Sequence, residues 1–298
     1  MPSEPQLTVF TATVYPDVAR MWYACVRRAF SASTTRFEIF YDSNGAGLPG
    51  ECFEGASILP RTAQRRDHHD AYNDAVKRAT TPYLAIVDTD VFWTSAALWN
   101  RVRSLLERPD VAAVSCVSRS RRKSHGTYAV VLKPEIYRRI LDKLPDGFYP
   151  GAEFLDPKLP MSEWRWFDTG DILTQAVMDA GYKVELLHLD KSGEVVRFYG
   201  VTLSRRGGRN FGAAALTEMA GKDKYFWRGY VSNLVLRRVY RRLFMDGPKY
   251  DFPFRSAPLV LRSLRTTPTM LVWRYEFLRH LLRGGHQIEK FILEEPLP

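Results

Sequence analysis

The chain has 298 residues, 43 Lys+Arg against 33 Asp+Glu, and a formal net charge of +10. An apolar fraction of 45% supports a real core and excludes wholesale disorder, and no apolar stretch reaches the ~18–20 residues that span a bilayer. Three widely spaced cysteines (Cys25, Cys52, Cys116) argue against a disulfide framework and a zinc site and fit a reducing cytosol, and the opening Met1-Pro2-Ser3-Glu4-Pro5 lacks the charged-then-apolar pattern of a secretory signal.

The charge is uneven. Residues 1–204 hold 25 Lys+Arg and 25 Asp+Glu, while residues 205–298 hold the other 18 and 8. The whole excess lies in the last third, so two electrostatic regions are expected, with different jobs.

Leu7 to Val14 is a β-branched, strand-like run. A helix opens at Asp17, with Val18, Met21, Trp22, Cys25, Val26 and Ala29 on one stripe. Phe37 to Tyr41 is a second strand, stopped by Asp42-Ser43-Asn44-Gly45. Residues 43–60 read as loop. A helix from Asp67 to Ala79 sets Ala71, Tyr72, Ala75, Val76 and Ala79 on one side. The run Tyr83-Leu84-Ala85-Ile86-Val87 is apolar on both faces, as a central parallel strand should be. Thr94 or Ser95 caps a helix through Leu98, Val102 and Leu105. Strands follow at Val111 to Val117 and Tyr128 to Leu132, and Pro134 starts a helix ending near Leu144. Residues 145–160 are rich in Gly and Pro and read as loop. A helix from Asp171 to Ala180 ends at Gly181, and Tyr182 to Leu187 is a strand. This alternation predicts an α/β domain with a mostly parallel sheet and helices on both faces. Ligands of such sheets bind beyond the carboxyl ends of the strands.

Asp88-Thr89-Asp90 follows the most apolar strand. Carboxylates held side by side repel and raise each other's pKa, and a divalent cation relieves that cost. Hard oxygen ligands suit Mg²⁺ or Mn²⁺, which keep waters and take phosphate oxygens. Two ordinary acids at a helix start are the plain alternative. Asp42 ends a strand where a carboxylate could meet a base or ribose, or simply form the turn. His68-His69-Asp70 does not make a zinc site, because adjacent helical residues point about 100° apart. Walker and Gly-x-Gly-x-x-Gly motifs are absent.

Asn73 on the helix, then Pro82-Tyr83-Leu84-Ala85-Ile86-Val87, then Asp88-Thr89-Asp90 resemble, in order and spacing, the GT-A (Rossmann-like) fold glycosyltransferases, especially the family 2-like inverting enzymes. The resemblance covers residues 7–200 and is most specific at 70–90. It implies a nucleotide-sugar-binding catalytic domain over 1–204 and a UDP- or GDP-type donor. Asp42 would sit near the base or ribose, with Asn73, Asp88, Arg65 and Gly126 also on the donor side. Asp88 and Asp90 would hold Mn²⁺ or Mg²⁺. The base of an inverting transfer would come from Asp168-Thr169-Gly170-Asp171, where Asp171 or Asp168 takes the role and the other caps the helix. Trp164 and Trp166, with Phe167 beside them, offer ring faces to an acceptor sugar or pack beneath a loop. His125 and Arg66 are further candidates for donor contact. His188 is the candidate third metal ligand, although the position best spaced by analogy, near Arg197-Phe198-Tyr199-Gly200, holds no histidine.

Residues 205–298 are expected to be a basic, mainly helical region, with helices at Tyr225 to Met245 and Met270 to Arg283. Arginines and aromatics interleave on both, so residues 225–283 could contact a membrane surface or pack against the sheet. The acceptor would be a saccharide or a lipid-linked molecule. Nucleic acid is not expected. The location would be cytoplasmic, alone or peripheral on the inner face of a membrane. Two other readings are a nucleotidyltransferase-like α/β enzyme and a non-catalytic basic membrane- or nucleic-acid-binding protein.

Overall fold

The computed structural model describes residues 4–41, 50–60, 68–116, 129–144, 147–148, 152–153, 165–166, 169–199, 201, 224–244 and 268–294. A seven-stranded sheet organises them. Its strands are β1 (Leu7–Thr13), β2 (Thr35–Tyr41), β3 (Ala56–Pro60), β4 (Tyr83–Val87), β6 (Val111–Ser115), β7 (Ala129–Leu132) and β10 (Lys183–Leu186). They lie in the order β10-β6-β7-β4-β1-β2-β3. All neighbours are parallel except β7, which runs antiparallel to β4 and to β6. The expected mostly parallel α/β sheet is therefore present.

The central run explains its own position. Ala85 and Val87 enter one core and Leu84 and Ile86 the other. A strand buried on both faces must be apolar throughout. The first core includes α1 (Pro16–Ala29), whose Val18, Met21, Trp22, Cys25, Val26 and Ala29 form the predicted stripe, and α3 (Leu98–Leu106). The second is covered by α2 (His68–Arg78), α4 (Pro134–Leu141) and α5 (Asp171–Asp179). Gly181 ends α5 with φ +88°, a left-handed conformation that glycine adopts without a Cβ clash.

Three strands of three or more residues depart from the sequence reading. The stretch 43–60, expected as loop, contains β3 on the sheet edge, where Ser57 is exposed and Ile58 and Leu59 are partly so. The other two are β5 (Val91–Trp93) and β11 (Val195–Arg197), which form a separate antiparallel pair. At three residues each, neither is long enough to show a period. Thr94 is also not a helix cap. α3 begins at Leu98 without a side-chain cap, and the Thr94 hydroxyl instead donates to the Gly193 carbonyl at 3.0 Å. A short helix, α6 (Leu189–Ser192), leads into β11, and the two-residue β8 (Ala152–Glu153), inside the 145–160 stretch expected as loop, pairs with β9 (Arg165–Trp166).

Two long helices follow, α7 (Lys224–Leu243) and α8 (Pro268–Glu294). Trp227, Tyr230, Val231, Val235, Leu236, Val239 and Tyr240 are buried in the same core as α1 and β5. Gly284 and Gly285 allow α8 to approach closely: a Cβ on Gly284 would lie 2.5 Å from Val196, and one on Gly285 2.9 Å from Val235. Gln287 donates to Thr94 Oγ1 at 2.8 Å and also to the Gly193 carbonyl, which fastens α8 to the β5–β11 pair. The aromatic face of α7 thus packs on the protein, while α8 leaves Val272, Tyr275, Leu282 and Leu293 exposed. Among the described residues, no helix is long and apolar enough to cross a membrane.

Candidate active site

The chain leaves β4 at Val87 and turns at once. The Val91 amide donates to the Asp88 carbonyl at 2.9 Å, closing a turn over Asp88-Thr89-Asp90, and the Phe198 amide donates to the Asp90 carbonyl at 2.8 Å. Both backbone contacts exist because β5 folds back and β11 pairs with it. The two acidic residues are thereby fixed at the open end of the central strand, each partly buried. Burial pushes the Asp90 carboxyl up to about 7, the Asp88 charge adds to the rise, and the Arg197 charge opposes it.

Asp88 is also held by its side chain. The Tyr72 hydroxyl donates to Asp88 Oδ1 at 2.6 Å. The Tyr72 ring is buried and stands edge-on to Phe10 and to Phe148. Burial, followed by the Asp88 charge, raises the Tyr72 phenol well above its usual range, so it remains a donor.

The face of α2 that carries Tyr72 holds the next segment too. Asn73 Oδ1 accepts from the Phe148 amide at 3.4 Å, and the Phe148 carbonyl accepts from the Gly170 amide at 3.2 Å. His69 Nδ1 and the Thr169 hydroxyl are 3.3 Å apart. Residues three and four apart on a helix are neighbours. One helix face therefore brings Asp88 and the turn at 169–171 to the same end of the sheet. Gly170, at φ +80°, takes the cap position of α5 without a side-chain cap. Asp171 is consequently the first residue of α5 rather than its cap, and it is buried.

The other predicted residues fall into three groups. Asn73 is at the site, with its oxygen engaged by Phe148. Asp42, Arg65, Arg66, His125, Gly126, Trp164, Phe167 and Asp168 lie outside the described residues. Trp166 is described only as backbone, where its Cα pairs with Ala152. His188 is placed away from the acidic pair. It is exposed at the end of β10, and β6 and β7 lie between β10 and β4. Sheet order, which no local pattern reveals, puts β10 at the far edge. Among the described residues no group of three or more His, Cys, Asp and Glu is positioned to hold a metal ion.

Two carboxylates at a strand end, one of them pushed towards protonation by the other and by burial, nevertheless fit a hard divalent cation that completes its shell with water and phosphate oxygens. Sequence reasoning missed Tyr72, which reads as one more aromatic in a helical stripe, and Arg197, which sits where a histidine was sought.

Residues 53–155 match the sequence model of Glycosyl transferase family 2, less than half of the chain but including α2, β4 and the acidic turn. The chain is a glycosyltransferase resembling family 2. No curated protein matches this glycosyltransferase. Several solved structures are similar to it in outline. A mannosyltransferase from Pyrobaculum calidifontis, in complex with GDP-Man and Mn²⁺, aligns over 99% of this chain and 89% of its own, at 14% identity and TM-score 0.45. Glucosyl-3-phosphoglycerate synthase from Mycobacterium tuberculosis, in complex with Mn²⁺, UDP and phosphoglyceric acid, aligns over 62% of this chain and 69% of its own, at 10% identity and TM-score 0.42. A 4-diphosphocytidyl-2C-methyl-D-erythritol synthase from Anaerococcus prevotii aligns over 61% of this chain and 86% of its own, at 7% identity and TM-score 0.39.

Proposed function

We propose that this glycosyltransferase moves a sugar from a UDP- or GDP-type nucleotide donor to an acceptor hydroxyl, with inversion and with a divalent metal. The observation that supports this most is the acidic turn itself: Asp88 clamped by Tyr72, Asp90 crowded beside it, both at the end of the central strand within the family-matched stretch.

Asp88 and Asp90 would hold Mn²⁺ or Mg²⁺. When bound, that cation neutralises charge developing on the leaving diphosphate. The Tyr72 hydroxyl donates to Asp88 Oδ1, which would orient the carboxylate for ligation or for the ribose. Asp171 is the base of choice. Thr169, two residues before it, contacts the helix that orients Asp88, so both carboxylates are anchored to α2. The base takes the acceptor proton as the hydroxyl attacks the anomeric carbon from the face opposite the diphosphate. Asp168 is the alternative base. Asp42, directly after β2 in the sequence, would meet the base or ribose, and Arg65 and Gly126 the rest of the donor. Trp164 and Trp166 would receive a saccharide or lipid-linked acceptor. Any membrane contact would involve α8 through Val272, Tyr275 and Leu282, because Trp227, Tyr230 and Tyr240 of α7 are buried.

A thermal-shift panel of nucleoside diphosphates and nucleotide sugars, each with and without Mn²⁺, tests this reading. A ligand at 100 times its Kd stabilises by about 2.7 kcal/mol. A Mn²⁺-dependent rise with one nucleotide class is expected, and Asp90→Asn should abolish the metal-dependent part. No rise with any of them, with or without metal, would overturn the reading.

A further inference from the structure

β5 and β11 hold the acidic turn, yet the two strands are weak by themselves. Their ladder is three residue pairs long: Val195 with Trp93, Val196 with Phe92 and Arg197 with Val91. A two-stranded ribbon of that length is marginal in water. Both hydrogen bonds that shape the turn depend on it, from the Val91 amide to the Asp88 carbonyl and from the Phe198 amide to the Asp90 carbonyl. Packing from outside the ladder has to keep β11 on β5.

α8 supplies that packing along the whole of β11. The Phe277 and Tyr199 rings meet with centroids 5.9 Å apart. Gly284 lies on Val196, where an added Cβ would come within 2.5 Å of Cγ1. Gln287 reaches Gly193. Residue numbers rise along α8 as they fall along the strand, so helix and strand run antiparallel. Positions 277, 284 and 287 share one stripe of the helix.

The Gln287 contact is polar and closes the end of the ladder away from the turn. Gln287 Nε2 donates to Thr94 Oγ1 at 2.8 Å and to the Gly193 carbonyl. The Thr94 hydroxyl donates to the same carbonyl at 3.0 Å, and the Thr94 amide donates to the Glu194 carbonyl at 3.0 Å. Thr94 directly follows β5, and Gly193 and Glu194 directly precede β11. One side-chain amide, 193 residues from Thr94 in sequence, thus ties the exit of one strand to the entry of the other with both of its donors.

We propose that Gln287 is a positioning residue for the acidic turn. By clasping Thr94 and Gly193 it keeps β11 on β5, and so holds the backbone of Asp88 and Asp90 in the shape that takes a divalent cation. Gln287 touches neither the cation nor the donor and acts through the two strands. The clasp rests on the metal reading above only for its consequence, cation binding; its grip on the turn is measured separately.

Two readouts on the full chain test it: Mn²⁺ affinity by electron paramagnetic resonance, and amide hydrogen exchange at Val91 and Phe198 by NMR. Gln287→Met keeps the length of the side chain without its donors. Thr94→Val removes the clasp from the strand side with the shape kept. Each should bind Mn²⁺ about fivefold more weakly and exchange both amides about tenfold faster. The double variant should lose little more than either single one, because both break one clasp. Thr94→Ser, which keeps the hydroxyl, should restore both readouts. Arg242→Gln, which unties α8 from Arg242 on α7 by breaking its pair with Glu289, should leave both unchanged. If Gln287→Met fails to melt cooperatively, Gln287→Glu replaces it, with the same shape and no donors, and a larger loss is expected. In a protein that binds Mn²⁺, unchanged affinity or unchanged exchange in the folded variants, or additive losses in the double variant, would overturn the positioning role. Faster exchange in the variants of a protein that binds no Mn²⁺ would leave the clasp standing and reject the metal reading.

Discussion

Asp90→Asn should stabilise the metal-free protein, and more so as pH rises. The Asp90 carboxyl moves from 3.8 to about 7 on folding, first because burial disfavours the charge and second because Asp88 is beside it. Between those two values the native state binds a proton that the unfolded state has lost, so stability falls as pH rises. Below about 3.8 both states are protonated and no penalty exists, whereas above about 7 the full penalty applies. Each unit is 1.36 kcal/mol, so the shift corresponds to on the order of 4 kcal/mol at most. Asn fills the same space and does not ionise. The gap between variant and wild type should widen by about 3 kcal/mol from pH 5 to pH 8 and then level off. Urea denaturation in EDTA at pH 5, 6, 7 and 8 measures it. A gap independent of pH, or a wild type that gains stability relative to the variant as pH rises, would refute the crowding argument.

Other consequences follow from single contacts. Tyr72→Phe keeps the ring between Phe10 and Phe148 and removes the donor to Asp88; Mn²⁺ affinity, read by electron paramagnetic resonance, should fall about tenfold, with roughly 1 kcal/mol lost in urea denaturation. Gly285→Ala places a Cβ 2.9 Å from Val235 and 3.0 Å from Val239, and should cost about 1–3 kcal/mol in the same assay. Arg242→Gln breaks a 2.8 Å pair with Glu289, but the arginine is half exposed, so the loss should stay under about 1 kcal/mol and shrink in salt.

What the sequence disclosed depended on how much of each element was buried on both sides. β4 was legible because Leu84 to Val87 had to satisfy two cores at once. α1 was legible because Val18, Met21, Trp22, Cys25, Val26 and Ala29 face one core and little else. β3 was not, because an edge strand with Ser57 exposed shows no alternation. β5 and β11 are too short for any period, yet they fix the acidic turn and carry Arg197. The Asp88–Asp90 pair was visible as chemistry, whereas its clamp was not: a hydroxyl on a buried ring in an apolar stripe looks like packing until its partner is located. His188 illustrates a second limit. Its strand was read correctly, but the order of strands across the sheet decides which strand ends are neighbours, and β10 lies beyond β6 and β7 from β4. The basic C-terminal helices show a third. Their aromatics were compatible with a membrane and with a core, and Trp227, Tyr230 and Tyr240 of α7 lie in the core on which α8 closes at Gly284 and Gly285.

The central claim is that the acidic turn and Asp171 act on a nucleotide sugar. Its most direct measurement is nucleoside diphosphate release from a panel of UDP- and GDP-sugars, with Mn²⁺ or EDTA, for wild type, Asp90→Asn and Asp171→Asn. The account predicts release from one donor class that requires the metal. It should fall at least ~100-fold in Asp171→Asn while donor binding persists, as loss of general acid–base catalysis implies. In Asp90→Asn both metal-dependent binding and release should fall. Release that is indifferent to metal and to both substitutions, or no release and no binding from any donor, would contradict it.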